Sequence, residues 1–545
     1  MYAMGQSTYM PSDEDFYHIS DRYSIIHSSK LTESTSIKPF NRNYNARVAY
    51  EMRGGKNSRR NQFPVDRYNS SLLSDENWEA DTLRLAGKTD REKWTNFYQY
   101  RGSFFSVDQP DFKLVVNPVL AFDMGQDIET SSQVFRNTRG LELRGNIADK
   151  LGFYSFISEN QFRFPTYYND QIDRRAVIPG AGFIKDFGSG ARDFFVSRGY
   201  ITARPIKQVN IQFGHDRNFI GNGYRSLIMS DFAKENLFLK LHTQVWRIQY
   251  INLFSEYTDY ASRSGSNGLK KYGAFHYLNL NIIPGKLDVG VFEHIIFFRE
   301  NQGYETQYLN PIIFYRSVEH GLNSSDNALI GMDWKYNPTN RTSFYGQFVL
   351  DEFHKNELIN RTGSWVNKWA FQAGGKWIDA FNISNLDLQF ETNLVRPYTY
   401  THKIVQQSYT HYNQAIAHPM GSNFKEVLGI IRYQPKPKWT CTLKIFSILH
   451  GADSSDDAAT THFGGDLLKD YENRPADDGL SIGQGLQEKI LITDFALSYQ
   501  VYHRTFIDLR YVYRNSERDS PLQPERNSLV YIGFRMNIDK MKFDF

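Results

Sequence analysis

Cysteine is almost absent from this chain: of 545 residues only Cys441, in TCTLKIFSI, is one, so no disulfide can form within the chain. Its apolar neighbours mark it as a small buried or lipid-facing hydrophobe rather than a catalytic thiol. Long hydrophobic runs are missing too. No apolar stretch approaches the length of about 18 residues that a membrane helix needs, and mean hydropathy is -0.55. Helical spans are thereby excluded, but not a barrel, whose apolar signal is diluted by lumen residues and loops. An excess of one charge is also lacking. The 63 basic and 60 acidic residues leave +3, with no basic tract suited to nucleic acid. The opening MYAMGQSTYMP has neither the positive n-region nor the full apolar h-region of a secretory leader. MYAMG reads as the stump of a longer leader or as an added start, with Gln6 suited to be a mature residue.

Aromatics, by contrast, are abundant: Phe 41, Tyr 35 and Trp 8 make 15% of the chain. Tyr and Phe crowd near the ends of strand-like segments, as the aromatic girdles at two membrane interfaces require. In LVYIGFRMNIDKMKFDF, Val530, Ile532, Phe534, Met536 and Ile538 alternate with Tyr531, Gly533, Arg535, Asn537 and Asp539, and the segment stops on Phe545. In YHRTFIDLRYVYRNS, Ile507, Leu509, Tyr511 and Tyr513 oppose Asp508 and Arg510; in KLDVGVFEH, Leu287, Val289 and Val291 oppose Asp288, Gly290 and Phe292. A period of two with one apolar face suits a strand between lipid and a polar lumen, although a soluble antiparallel sheet alternates as well.

The expected fold is all-β, a transmembrane antiparallel barrel of the outer membrane with about 18 strands, within 16 to 20, and long extracellular loops. Residues 1–111 read as an N-terminal periplasmic arm and polar region, in part a plug, and 112–545 as barrel. DEDFYHISDRYSIIHSS suits a short helix or arm, and the polar stretch 50–94 is not wall unless the strand-like NARVAYEM is recruited. Tight turns are expected at Ala148–Lys150, Pro205–Lys207, Gln244–Arg247, Pro284–Lys286, Asn337–Asn340, Asp379–Ala380, Pro435–Lys438 and Tyr502–Arg504. The longer intervals 165–192, 257–270, 298–326, 350–364, 392–423, 450–485 and 515–525 are assigned to the outside. YLNPIIFYRS reads as a strand or a folded-in loop.

Two segments concentrate chemistry. In QFGHDRNFIGNGYRSLIMSDF, His215, Asp216, Arg217 and Asn218 follow an alternating strand, Gly221 and Gly223 permit positive φ, and Tyr224 and Arg225 come next. The glycines lack the GK[ST] element of a phosphate loop. A base pair of His215 and Asp216 serving Ser226 is disfavoured, because adjacent strand residues point to opposite faces. A loop anchored by an Arg-Asp-Asn hydrogen-bond network is the leading expectation, with ligand contact as the alternative. The second segment brings Arg396, Tyr398, Tyr400, His402, His411, Tyr412, His418 and Asn423 together. Tyr rings stack on sugar faces while Asn and Arg bond hydroxyls, so glycan contact is one reading and a structural aromatic loop in the lumen the favoured one. The histidines do not have the H-E-x-x-H spacing, and DSSDDAATTHFGGD matches no EF-hand, so no metal is expected.

At GHDRNFIGNGYRSL, YLNPIIFYR, RPYTYTH and HPMGSNFKE the chain resembles the RemB-like gliding-motility outer-membrane proteins of the Bacteroidetes, themselves distantly similar to the Wzi-type capsule assembly family. The likeness runs from YHISDRY to the terminal strand. Its RemB side implies a role in gliding motility, which depends on surface adhesins exported by type IX secretion. Its Wzi side implies a barrel of about 18 strands that holds surface polysaccharide through outer loops. It supplies no catalytic residues. The resulting expectation is a non-enzymatic outer-membrane barrel supporting gliding motility or the organisation of surface protein and polysaccharide. Wzi-like capsule attachment and a porin are the alternatives. Expected partners are outer-membrane lipid and lipopolysaccharide, other envelope proteins and surface polysaccharide. No cofactor and no nucleic acid are expected. The chain would reach the outer membrane through the periplasm after losing a signal peptide not fully present here.

Overall fold

Period-two segments pair with one another wherever one face is apolar, and here they close on themselves. The computed structural model is a closed antiparallel barrel of 18 long strands. It describes residues 7–54, 63–81, 85–89, 97–188, 190–259, 268–300, 302–352, 354–453, 461–518 and 525–545, so Gln6 and part of DSSDDAATTHFGGD lie outside the described residues. The first strands are β1 Phe112–Asp127, β2 Gln133–Ile147, β3 Leu151–Arg163, β4 Ala191–Ile206, β5 Val209–Asp216 and β6 Asn236–Val245. Then come β7 Ile248–Asp259, β8 Leu269–Ile283, β9 Leu287–Phe297, β10 Asn327–Tyr336, β11 Thr342–Glu352 and β12 Lys368–Trp377. The wall is completed by β13 Leu386–Val395, β14 Phe424–Lys436, β15 Trp439–Ala452, β16 Leu486–Tyr502, β17 Thr505–Arg518 and β18 Glu525–Met536. β18 pairs with β1, Tyr531 opposite Gly125, which closes the sheet. Short strands at Phe105–Gln109 and Lys185–Phe187 add to its ends.

The alternation of side chains matches the two environments. Val530, Ile532, Ile507, Leu509, Tyr511 and Val291 are exposed outward, while Tyr531, Arg510, Asp288 and Phe292 are buried inward. An apolar outer band with polar groups held inside is the outer-membrane arrangement. Cys441, half-buried, alternates with inward Thr442 on β15.

Consecutive strands are joined at one end by short turns, residues 148–150, 207–208, 246–247, 284–286, 337–341, 378–385, 437–438 and 503–504. Ala148 and Asp149 take φ of 49° and 51°, the left-handed pair that matches strand twist in a tight hairpin. The turn expected at Pro205–Lys207 falls slightly later, because a register shift between Ala203 and Ile206 keeps Ile206 paired with Val209. At the extracellular end run the long connections, including 217–235, which follows β5.

The bore is filled from both ends of the chain. Helices α1 Glu14–Ile26, α2 Arg42–Met52 and α3 Pro64–Glu76 pack together near the periplasmic turns, with Phe16, Val48, Ala49 and Leu73 in their shared core. NARVAYEM is therefore helix, not strand. The closing strand also ends earlier than its sequence suggests. Asn537, at φ 55°, reverses the chain, and residues 537–545 run back inside the barrel, burying Phe543 and Phe545 beside Tyr168. YLNPIIFYRS is neither strand nor folded-in loop; it leads into helix α4 Tyr315–Leu322, which packs on the outside of the wall.

Candidate functional site

The lower layer of the filling is held by charge. Asp13 caps α1 by accepting from the N–H groups of Asp15 and Phe16 and also receives Arg504 at 3.0 Å. Glu14 meets Arg432 at 2.9 Å and Lys444 at 2.6 Å; Asp15 meets Arg535 at 2.9 Å and Lys540 at 3.2 Å. Asp21 takes Lys335 at 3.1 Å and Lys376, and Arg22 reaches Asp379 at 2.7 Å and Asp387. Burial pushes the Glu14 carboxyl up, but Lys444, Arg432 and Lys540 outweigh it and hold the group well below the usual range. Behind α1, the wholly buried guanidiniums of Arg42, Arg144 and Arg504 surround Glu76, Glu79 and Glu142. Helix α1 is thus tied to several wall strands, α2 to β2 through Arg42 and Glu142, and α3 to β2 and β14 through Glu76 with Arg144 and Asn69 with Gln434.

The upper layer is built from the two segments singled out in the sequence. Loop 217–235 enters the bore, and its Phe219–Ile220 pairs with Ile37–Lys38 in a two-stranded ribbon that joins the layers. Tyr224 and Arg225 donate their backbone N–H groups to Glu391 at 2.7 and 3.1 Å, and the Arg225 guanidinium lies 3.2 Å from Glu426 and 3.3 Å from Asp544. Loop 396–423 lies against it. Tyr400 donates to the Leu227 carbonyl at 2.6 Å and Tyr409 to that of Ile228 at 2.7 Å. Tyr398 donates to the His462 carbonyl at 2.6 Å. His418 faces Glu426 at 2.8 Å, and His411 accepts from the Thr258 N–H at 2.9 Å. Burial pushes His411 down to about 3, so it is a neutral acceptor. Asn423, at φ 57°, donates to the carbonyls of Gly451, Phe463 and Gln484 and accepts from the Gly483 N–H at 2.8 Å.

The two segments therefore meet, but not as one accessible cluster. Tyr398, Tyr400, His402, His411, His418, Asn423, Asp216, Asn218 and Arg225 are buried. His215 is exposed on the opposite face of β5 from Asp216. Ser226 donates to the Ile220 carbonyl and accepts from the N–H groups of Ile228 and Met229, so it turns the loop and does not join His215. Arg217 bonds the Asp231 carbonyl at 3.1 Å and pairs with Glu235 at 3.0 Å. Arg396 donates to the Gly363 and Ser364 carbonyls, and His402 accepts from the Ile404 N–H. Among the described residues no group of three or more His, Cys, Asp or Glu is arranged to hold a metal.

What stays open at the rim is small. Tyr412 is half-buried, its ring 5.7 Å from that of Phe183 in an edge-to-face pair, with the Lys234 ammonium 5.5 Å from the Tyr412 ring. Phe183 is 53% exposed. Sequence reading missed Phe183 and Lys234, which lie far from Tyr412 in the chain. Inside, a cavity of about 260 Å³ remains between the returning tail and the wall, lined by Asn160, Phe162, Tyr168, Arg198, Arg217 and Phe545 among others.

No curated protein matches the chain by sequence. Among solved structures, the chain is similar to Wzi of Escherichia coli, an outer-membrane protein involved in group 1 capsule assembly and a carbohydrate-binding β-barrel, with TM-score 0.58 and 14% identity over 98% of this chain and 100% of that one. OccAB2 of Acinetobacter baumannii follows with TM-score 0.42 and 10% identity over 77% and 97% of the two chains. OprD of Pseudomonas aeruginosa gives TM-score 0.43 and 8% identity over 78% and 95%. A family match to the capsule assembly protein Wzi covers residues 122–512. This overturns the RemB-like assignment, and with it the gliding-motility role and the links to Bacteroidetes and type IX secretion, since the kinship with Wzi is direct rather than distant. Matched over well more than half its length, the chain belongs to the Wzi family of capsule assembly proteins.

Proposed function

We propose that the protein is a non-enzymatic barrel that holds surface polysaccharide at the outer membrane, its filled bore serving as a rigid base for the extracellular loops. The observation that carries this reading is the stitching of loops 217–235 and 396–423 to each other and to Glu391 and Glu426 of the wall. Such bonding fixes the outer surface without leaving a wide path for solutes, which suits a binding face better than a channel. The polysaccharide contact is assigned to Phe183, Tyr412 and Lys234. Aromatic faces stack on sugar rings, and an adjacent ammonium bonds hydroxyls or carboxylates. Tyr398 and Tyr400 act beneath this surface as supports.

The test is retention of labelled surface polysaccharide by cells carrying the intact protein or Phe183→Ala with Tyr412→Ala. Folding is verified by the heat-dependent shift of the barrel on gels. Loss of retention with an unchanged shift supports the site; full retention removes these residues from it.

A further inference from the structure

The loop between β9 and β10 emerges at the extracellular end and then turns down the outside of the wall. Its root is clamped: Arg299 holds Asp326 through two bonds, 2.6 and 2.8 Å, and Tyr308 donates to the same carboxylate at 2.8 Å. Tyr308, Tyr315 and Val318 then pack on Phe254, Ala274, Ile295 and Phe297. Those four face outward, since their strand neighbours Leu253, Phe275 and Ile296 belong to the core inside the bore.

Beneath the loop the outer wall carries groups that lipid would not tolerate. Asn252, His276 and Glu293 lie on the outward face of β7, β8 and β9 yet are buried. Glu293 accepts from the N–H groups of Tyr315 and Arg316 at 2.8 and 2.9 Å, and the Tyr315 ring covers His276 at 3.9 Å between centroids. The depth follows from register. β9 has 11 residues, which at a rise of about 3.3 Å and a tilt of about 40° span about 25 Å, the height of the apolar band. Glu293 sits near its middle. One step lower on the same face, exposed Val291 pairs with Leu278 and Met332, also exposed, so bare lipid-facing wall begins directly below the loop.

Irregular backbone facing hydrocarbon is normally excluded because its polar groups go unpaired. Here several are paired by the protein. Proline at 311 has no N–H, and its carbonyl accepts from Tyr250 at 2.7 Å. Ile312 donates to the Asn310 side chain at 3.1 Å, and Ser317 to the Phe314 carbonyl at 3.0 Å. The side chains left over are apolar and turned away from the wall: Ile312 is 82% exposed and Phe314 76%. Arg316, whose Nη1 also meets Glu319 at 2.6 Å, and His320 are exposed on the climbing helix α4.

We propose that residues 309–320 form a lipid-binding flap, which inserts Ile312, Ile313 and Phe314 among the acyl chains of outer-leaflet lipopolysaccharide and directs Arg316 and His320 toward its anionic head groups. Continuity with the bare wall at Val291 argues for acyl chains as the occupant. Suspension from the extracellular end, with the long Arg316 side chain on the stretch that climbs back toward that end, argues for the outer leaflet.

The experiment uses the full chain with Cys441→Ala and a nitroxide attached at Phe314→Cys, or at Val291→Cys as the lipid-facing reference, in bilayers with a lipopolysaccharide outer leaflet and in phospholipid bilayers. The expected result is an oxygen-to-nickel accessibility ratio at 314 as high as at 291, with slower label motion in lipopolysaccharide than in phospholipid. Access by the water-soluble nickel reagent would place the flap in solvent and overturn the proposal. Exclusion of both reagents would mean a protein covers the flap, with the same consequence. Identical motion in the two bilayers would overturn the lipopolysaccharide assignment. Heat-dependent gel mobility confirms folding of each variant, and a label at Ile312→Cys replaces the one at 314 if that variant does not fold.

Discussion

Arg504, in the turn between β16 and β17, and Asp13, the cap of α1, meet at 3.0 Å across 491 residues of sequence. The same guanidinium also reaches Glu76 at the end of α3 at 3.2 Å. One wall residue therefore fixes the first and third helices of the bore at once.

Replacing Arg504 with Met should leave Asp13 and Glu76 buried with less compensation. A broken buried pair of this kind costs about 3–5 kcal/mol. Urea titration of the refolded barrel in detergent, followed by gel mobility, should show the midpoint fall. Adding Glu76→Gln to Arg504→Met should cost less than the two changes summed, because the charges are balanced again.

Acidity should act on the inner layer in two windows. For Asp15, burial raises the carboxyl but Lys540 and Arg535 outweigh it, lowering it to about 2. A depressed carboxyl contributes stability above its ordinary value, and this is lost as pH falls from about 4 toward about 2. Asp539 is the opposite case. Burial and the nearby Asp13 and Glu14 raise it to about 7. A raised carboxyl contributes most below its ordinary value of about 4 and loses that contribution as pH rises from there to about 7, above which both states are ionised. Unfolding midpoints should therefore decline from about pH 4 to about pH 7 and level off above it, and Asp539→Asn should flatten that decline. An unchanged slope in the variant would show that another group titrates.

Asn423→Ala should free the loop around residues 461–485 without opening the wall. The Gly451 and Gln484 carbonyls and the Gly483 N–H lose the Asn423 side chain, at about 1–3 kcal/mol for each group left buried and unpaired, while the Phe463 carbonyl keeps Gln484 Nε2 at 3.0 Å, and the left-handed backbone at Asn423 suits alanine poorly. Limited proteolysis of intact cells should cut the variant in this loop faster than the parent, while the heat-dependent gel shift stays the same.

Planar-bilayer recordings of the intact chain should show no sustained conductance, since both layers of filling are bonded to the wall. Steady single-channel steps would mean that the filling yields and that a solute pathway exists.

The wall was legible because a period of two with one apolar face has few other meanings, and the hairpin turns announced themselves by position. What occupies the bore was much harder to read. Asp13 and Arg504 pair across almost the whole chain, and nothing local in DEDFYHISDRY names Arg432, Lys335 or Asp387 as partners. The end of β18 was hidden for a different reason. Lys540, Met541, Lys542, Phe543, Asp544 and Phe545 alternate just as a strand does, although Asn537 has already turned the chain inward. The flap escaped because Asn252, His276 and Glu293 break the apolar face only where another part of the chain covers it. In the candidate segments residue types were informative but exposure was not. Tyr398 and Tyr412 look alike in sequence, yet one is sealed beneath Gly464 and His462 and the other stands at the rim.

Residues 7–54, 63–76 and 537–545 all lie against the inner side of one closed cylinder. The three helices bring charged partners to strands from β2 to β18, among them Glu142, Lys335, Lys376, Arg432, Lys444 and Arg535. Those wall residues would face the bore without these partners in an empty cylinder. Container and contents are thus complementary halves of one charge-balanced whole, and neither is complete without the other.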